Sequence, residues 1–221
     1  LLVTIDNPPT FTSFIDRFLA TTEAYSIKAV LLFNKVDVND DATKNIVKDL
    51  TTLYQSIGYE CLSISAKTGE NIEAVKKLMT GKSSMFAGHS GVGKSTLVNS
   101  IEPGLNIKTK EISDQHKQGQ HTTTFAEMFD LSFEAQIIDT PGIKGFGVVD
   151  MEPAEVDNYF PELFALKQSC KFNNCLHLHE PQCAVKSALE NNQVAASRYK
   201  SYTQILEGDD EHYRTDNYEP K

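Results

Sequence analysis

Up to about residue 150 the chain alternates short apolar runs with stretches in which apolar residues recur every three or four positions. "LLVTI", Leu1 to Ile5, reads as a strand broken by "DNPPT". "TSFIDRFLATTEAY" then places Phe14, Phe18 and Leu19 at helical spacing. "KAVLLFN" is an aliphatic run of the kind found in strands buried on both faces. Ala42 to Ile57 is predicted as a helix with Ile46, Leu50, Leu53 and Ile57 inward and Gly58 as its stop. "ECLSIS" is the next strand and Asn71 to Met79 the next helix. "SSMFAG" leads into a glycine-rich loop that opens a helix over Ser95 to Ile101. "TTFAEMFDL" and "EAQIIDT" are two further strands around Ser132. Such alternation implies a mostly parallel sheet covered on both faces.

Near residue 150 the pattern changes. Strand signals cease, Pro153 and Pro161 punctuate the chain, and three cysteines precede two helical runs, Ala184 to Asn191 and Val194 to Leu206. The second run carries Tyr199, Tyr202, Ile205 and Leu206 on one face. The expectation is an α/β domain over 1–150 and a small helical domain over 151–221, whose acidic end from Glu207 frays.

Composition narrows the class. With 40% hydrophobic and 23% charged residues among 221, the chain has the material for a globular core. A net charge of −9 excludes non-specific nucleic-acid binding by the whole surface, so any basic face is local. The longest apolar run, Ala29 to Phe33, is far short of the roughly 20 residues of a membrane span. No signal peptide is recognisable, and the missing initiating Met suggests that an N-terminal piece is absent. Four cysteines are too few for a disulfide scaffold, which points to a reducing, cytoplasmic setting.

The candidate chemistry lies at strand ends. "GHSGVGKST" fits G-x-x-x-x-G-K-[ST] through Gly88, Gly93, Lys94 and Ser95. Backbone N–H groups along Gly88, His89, Ser90, Gly91, Val92 and Gly93, with Thr96 in the first helical turn, are placed to surround phosphates. Lys94 is expected to reach the β- and γ-phosphates and the Ser95 hydroxyl to ligate Mg²⁺. In "IIDTPG", Asp139 can hold the magnesium, and the Gly142 amide can meet the γ-phosphate. "NKVD" ends the "AVLLF" strand; Asp37 can accept two hydrogen bonds from the guanine edge, a donor pair adenine lacks. Asn34 would brace neighbouring loops and the Lys35 stem would cover the base. In "SAKTG", Ser65, Ala66 and Lys67 form a second base loop, with the Ala66 amide a donor to the guanine carbonyl.

Cys170, Cys175, His177 and Cys183 supply three thiols and an imidazole within a short span, the ligand set of a closed, structural zinc site. His179 is an alternative imidazole, and a disulfide an alternative fate for two of the thiols. A module this small has little core, so metal would substitute for it. Cys61 reads as a small buried hydrophobe. From Ala165 to Leu206, five cations (Lys167, Lys171, Lys186, Arg198, Lys200) outnumber Glu180 and Glu190, a local asymmetry suited to RNA or to an ordinary solvated face.

The motif order, with base readers ahead of the phosphate loop, resembles the circularly permuted, translation-factor-related GTPases. "GHSGVGKSTL", "GQHTTT", "IIDTPG" and "CLHLHEPQCAV" resemble the ribosome small-subunit-dependent GTPase A family across essentially the whole chain. The resemblance implies a P-loop GTPase domain followed by a helical zinc-binding domain, with GTP or GDP, Mg²⁺ and Zn²⁺ bound. It implies a monomeric 30S maturation factor that contacts ribosomal RNA, binds the particle with GTP and leaves on hydrolysis. An OB-fold precedes the GTPase in that family and is not among these residues. The alternative is an RNA-binding module whose nucleotide site is a conformational latch. Ile143 stands where many relatives carry a water-orienting glutamine, and it can neither donate nor accept a proton. His121 in "GQHTTT" is the preferred catalytic replacement, with His89 as the alternative, and one threonine of the triplet, taken as Thr123, would ligate Mg²⁺. Because "IKGFGVVDMEP" tethers the cysteine module to Gly142, nucleotide state is expected to reposition that module, with Gly145 and Gly147 giving freedom.

Overall fold

A computed structural model describes residues 1–105, 127–139 and 151–208. The chain packs as two compact units. The first comprises Leu1–Thr10, Val30–Gln55 and Tyr59–Phe146, and the second Phe11–Ala29, Ser56–Gly58 and Gly147–Lys221.

In the first unit β1 (Leu2–Val3), β2 (Val30–Phe33) and β3 (Glu60–Ser63) pair in parallel in the order β1-β2-β3. β4 (Ser83–Ser84) pairs in parallel with β6 (Gln136–Asp139), which takes β5 (Glu127–Asp130) antiparallel on its other side. The Leu2 N–H donates to the Ala87 carbonyl at 2.8 Å, so the segment after β4 runs beside β1. The apolar runs are therefore short strands, as their lengths require, and among the described residues every strand pairing but that of β5 with β6 is parallel. Leu2, Leu32, Ile64, Ile72, Val75, Leu97, Ile101 and Ile137 meet in one core.

Helix α2 (Asp41–Ser56) corrects one expectation. Its buried residues are Val47 and Tyr54, two turns apart, whereas Ile46 is exposed. Leu50, Leu53 and Ile57 are half-buried, so the inward face is centred on Val47 and Tyr54 rather than on the aliphatic stripe. Gly58, at φ +100°, takes the left-handed conformation that a stop just beyond the helix requires. α3 (Ile72–Met79) and α4 (Lys94–Ile101) follow β3 and the glycine-rich loop as expected.

The second unit is helical. α1 (Thr12–Ala24) belongs to it, with a 3₁₀ turn (Val156–Tyr159), α5 (Pro161–Lys167), α6 (Ala184–Glu190) and α7 (Ala196–Leu206). Pro161 starts α5, where its missing N–H costs nothing. Ala20, Val156, Phe160, Leu163, Val185, Val194 and Tyr202 form the core together with Cys175 and Cys183.

Arg198 is also a correction: counted as a surface cation, it is 1% exposed. Its Nη1 donates to Asp16 Oδ1 at 2.9 Å, and its Nε and Nη2 donate to the two Glu162 oxygens at 2.6 and 3.1 Å. The guanidinium lies 4.4 Å from the Phe160 ring centroid, and Ser201 Oγ donates to Asp16 Oδ2 at 2.6 Å. Burial favours the neutral form of Arg198, but the facing carboxylates outweigh it and hold the charge.

Candidate functional site

The parallel strands deliver three loops to their C-terminal ends, where open α/β sheets bind ligands. β2 leads to Asn34, Lys35 and Asp37, β3 to Ser65, Ala66 and Lys67, and the segment after β4 to the loop from Gly88 to Gly93. Asn34 is buried between the other two loops. Its Nδ2 donates to the Val92 carbonyl at 2.8 Å, and its Oδ1 accepts from the Ala66 N–H at 3.0 Å. The bracing role read from sequence is thus visible, although the Ala66 amide already serves Asn34, so an incoming carbonyl has to share it.

Ser65 orients the acidic group. Its hydroxyl donates to Asp37 Oδ1 at 2.7 Å while accepting from the Thr68 N–H at 3.1 Å. Asn34, Lys35, Asp37, Val38, Ala66, Lys67, Gly93 and Thr96 line one cavity of about 300 Å³. That volume is at the lower end for small-molecule sites.

The phosphate loop has backbone its glycines make possible. Gly88, at φ +142°, would bring a side chain to 2.7 Å from the Leu2 carbonyl, and Gly93, at φ +101°, would press one into the Asn34 amide. Lys94 Nζ donates to the carbonyls of Gly88 and His89 at 2.6 and 2.8 Å, folding over the loop. Burial lowers its pKa, so an anion inside the loop would stabilise its charged form. Ser95 and Thr96 begin α4 directly behind it.

"DNPPT" was read only as a strand break, yet it lies against Lys35 and the glycine-rich loop. The Asn7 carbonyl accepts from Lys35 Nζ, and a side chain at Gly91 would touch Pro8 at 3.4 Å. Nothing in its composition signals that role. Asp139 closes β6, so its backbone stands where the sequence places it. His121, Thr123, Gly142, Ile143, Gly145 and Gly147 lie outside the described residues.

In the second unit the ligand atoms of Cys170, Cys175, His177 and Cys183 all lie within 4.8 Å of one another. Tetrahedral zinc with bonds of about 2.3 Å to sulfur and 2.0–2.1 Å to nitrogen implies roughly 3.8 Å between sulfurs and 3.6 Å between nitrogen and sulfur. Cys170 Sγ is 3.9 Å from Cys183 Sγ, and His177 Nδ1 is 3.6 and 3.3 Å from those two sulfurs. The cage fits zinc, His177 rather than His179 belongs to it, and all four cysteines are free of disulfides. Burial pushes the Cys175 and Cys183 thiols up, a cost that a divalent cation would reverse. Cys61, by contrast, is buried in the first unit with its thiol pushed up to about 11, an inert position.

Polar groups missed in the sequence hold this cage. The Glu180 carboxylate accepts from the N–H groups of Leu176, Leu178 and His179 at 2.8, 2.9 and 3.0 Å. Tyr199 and Tyr202 donate their hydroxyls to the carbonyls of His177 and Leu176 at 2.6 and 2.9 Å. Burial opposes ionisation of Asp157, but hydrogen bonds from His177 and Lys167 outweigh it and hold its carboxyl below the usual carboxylate range. Glu180, close to His177 in sequence, was a findable signal; Asp157 was not.

A strand-end cavity that joins the Asp37 carboxylate to the glycine-rich loop, with the "NKVD" segment first in the chain, is the arrangement of a circularly permuted P-loop GTPase. The RsgA GTPase family model matches residues 1–149, and the chain belongs to that family. It is 65% identical over 218 residues to the small ribosomal subunit biogenesis GTPase RsgA of Flavobacterium johnsoniae, covering 99% of this chain and 67% of that protein. The Bacteroides fragilis protein of the same name is 52% identical over 211 residues, covering 96% of this chain and 68% of its own length. Among solved structures, YjeQ from Thermotoga maritima aligns with a TM-score of 0.81 at 38% identity, over 94% of this chain and 69% of that one. YloQ, described as a circularly permuted GTPase, aligns with a TM-score of 0.78 at 31% identity, over 94% of this chain and 66% of that one. The chain therefore spans about two thirds of the length of its relatives. Among the described residues no helix is long and apolar enough to cross a membrane.

Proposed function

We propose that the chain hydrolyses GTP in the cytoplasm as a maturation factor of the small ribosomal subunit, binding the particle in the GTP state and leaving after hydrolysis. The cavity between Asp37 and the phosphate loop carries this reading, because it couples a guanine-selective acceptor to a phosphate cradle. The names of the relatives supply the particle as partner.

In this reading Asp37, held by Ser65, accepts from the guanine edge, while Asn34, Lys35, Ala66 and Lys67 frame the base. The N–H groups from Gly88 to Gly93 and Thr96 receive the phosphates. Lys94 exchanges its carbonyl partners for phosphate oxygens, recovering in charge pairing what burial costs. Ser95, Thr123 and Asp139 would hold Mg²⁺, which neutralises charge developing on the phosphates. Gly142 senses the γ-phosphate, and His121 orients the attacking water because Ile143 has no group to do so. Cys170, Cys175, His177 and Cys183 hold a structural zinc. The outer face of that module, with Lys171, Lys186 and Lys200 still cationic, contacts ribosomal RNA as a monomer.

GTP turnover with and without purified 30S particles tests the proposal. Strong acceleration is expected, and tight binding indifferent to nucleotide, without acceleration, would overturn it. His121→Ala should lower stimulated turnover by about 10²-fold or more and leave GDP affinity unchanged.

A further inference from the structure

His177 is fully buried, and its two ring nitrogens have different surroundings. Nδ1 faces the cysteine sulfurs, at 3.3 Å from Cys183 and 3.6 Å from Cys170. Nε2 points away from them and lies 3.1 Å from Asp157 Oδ2. Asp157 is itself buried, in the 3₁₀ turn Val156–Tyr159, far from the cage in sequence. Its other oxygen, Oδ1, accepts from Lys167 Nζ at 2.8 Å, and Lys167 also donates to Asn158 Oδ1 at 3.0 Å. The carboxylate is pinned on one side by a cation and presents its second oxygen to the imidazole.

From this geometry we propose that Asp157, steadied by Lys167, is the positioning residue of the zinc cage. It accepts the Nε2 proton of His177, so that the ring presents Nδ1 to the metal. A buried imidazole whose second nitrogen is held by a carboxylate has one tautomer and one orientation, and its free lone pair is more basic. Here both consequences are needed. The ring needs one tautomer and one orientation to present Nδ1 to the sulfurs, and what Nε2 meets selects them. Asp157 supplies that selection from a different element, and in doing so ties the 3₁₀ turn to the cysteine loop. The proposal rests on the reading of the cage as a zinc site.

The test uses the full chain loaded with zinc. Metal content of the wild type is measured first, and its zinc affinity is then followed by competition with a chromophoric chelator. Asp157→Ala is expected to weaken zinc by about 10- to 100-fold. Asp157→Asn, which retains an acceptor oxygen without the charge, should fall between that variant and the wild type. Far-UV circular dichroism of each loaded variant separates lost affinity from lost fold. In the wild type, long-range proton–nitrogen correlation spectra should show His177 metallated at Nδ1 and protonated at Nε2. Wild-type affinity in both variants, or a metallated Nε2, overturns the role of Asp157 while leaving the zinc reading intact. A wild-type chain that takes up no zinc overturns the zinc reading itself.

Discussion

The two units solve opposite problems. The first has a main core dominated by aliphatic side chains, and its ligand site lies on loops at the rim of the sheet. The second places Cys175 and Cys183, two of its four prospective metal ligands, in its core and also buries Asp16, Asp157, His177, Arg198 and Ser201. Ligand binding in the first unit is therefore an addition to a structure that hydrophobic burial already supports. In the second, buried polar groups must find partners inside the fold, and a metal would be one of those partners.

The sharpest way to break this contrast is to remove zinc. Chelation, or Cys183→Ala, should abolish hydrogen-exchange protection over residues 156–206, since structural zinc contributes on the order of 10 kcal/mol to small domains. Protection of β2 and β3 serves as the control within the same sample. The dependence on pH has a definite sign. Burial raises the Cys175 and Cys183 thiols, and metal binding must displace their protons, so zinc affinity should rise with pH and weaken on acidification. Exchange patterns untouched by chelation would erase the distinction between the units.

Arg198→Ala is the next largest perturbation. It leaves the buried Asp16 and the half-buried Glu162 without their cation, at a cost of about 3–5 kcal/mol. Chemical denaturation of the zinc-loaded protein measures it, and a loss below 1 kcal/mol would mean that the network contributes little. Smallest in free energy is Asp37→Asn. Losing a charged acceptor for the guanine edge should cost about 1.5–3 kcal/mol, or roughly 10- to 100-fold in GDP affinity by calorimetry. Because an amide donates where the carboxylate accepted, the same variant should favour a purine with a carbonyl at that position. Retained GDP preference would remove Asp37 as the base reader.

The first unit was legible in the sequence because its chemistry sits in contiguous loops. "NKVD", "SAKTG" and "GHSGVGKST" each carry their own local geometry, and the alternating strands and helices say where they converge. What was illegible there came from residues acting at a distance. Neither the approach of Asn7 and Pro8 to Lys35 and Gly91 nor the capture of the Ala66 amide by Asn34 leaves a local pattern. The stripe on α2 failed because periodicity weighs Ile46 and Tyr54 alike, whereas burial depends on what the facing surface admits. In the second unit the prospective metal ligands were readable from residue type and spacing, with His179 open as the alternative imidazole until the geometry put His177 in the cage. The polar frame was not: Arg198 pairs with a residue near the other end of the chain, and a charge count cannot tell a buried cation from a solvated one.

The membership of α1 in the second unit has a practical meaning for anyone dividing the molecule. Severing the polypeptide at residue 150 would yield a C-terminal fragment that keeps Glu162 but forfeits Asp16, leaving Arg198 half neutralised and the surface that α1 covers bare. The early helix is thus a scaffold strut borrowed from the opposite end of the gene product, and a faithful dissection would have to carry it along.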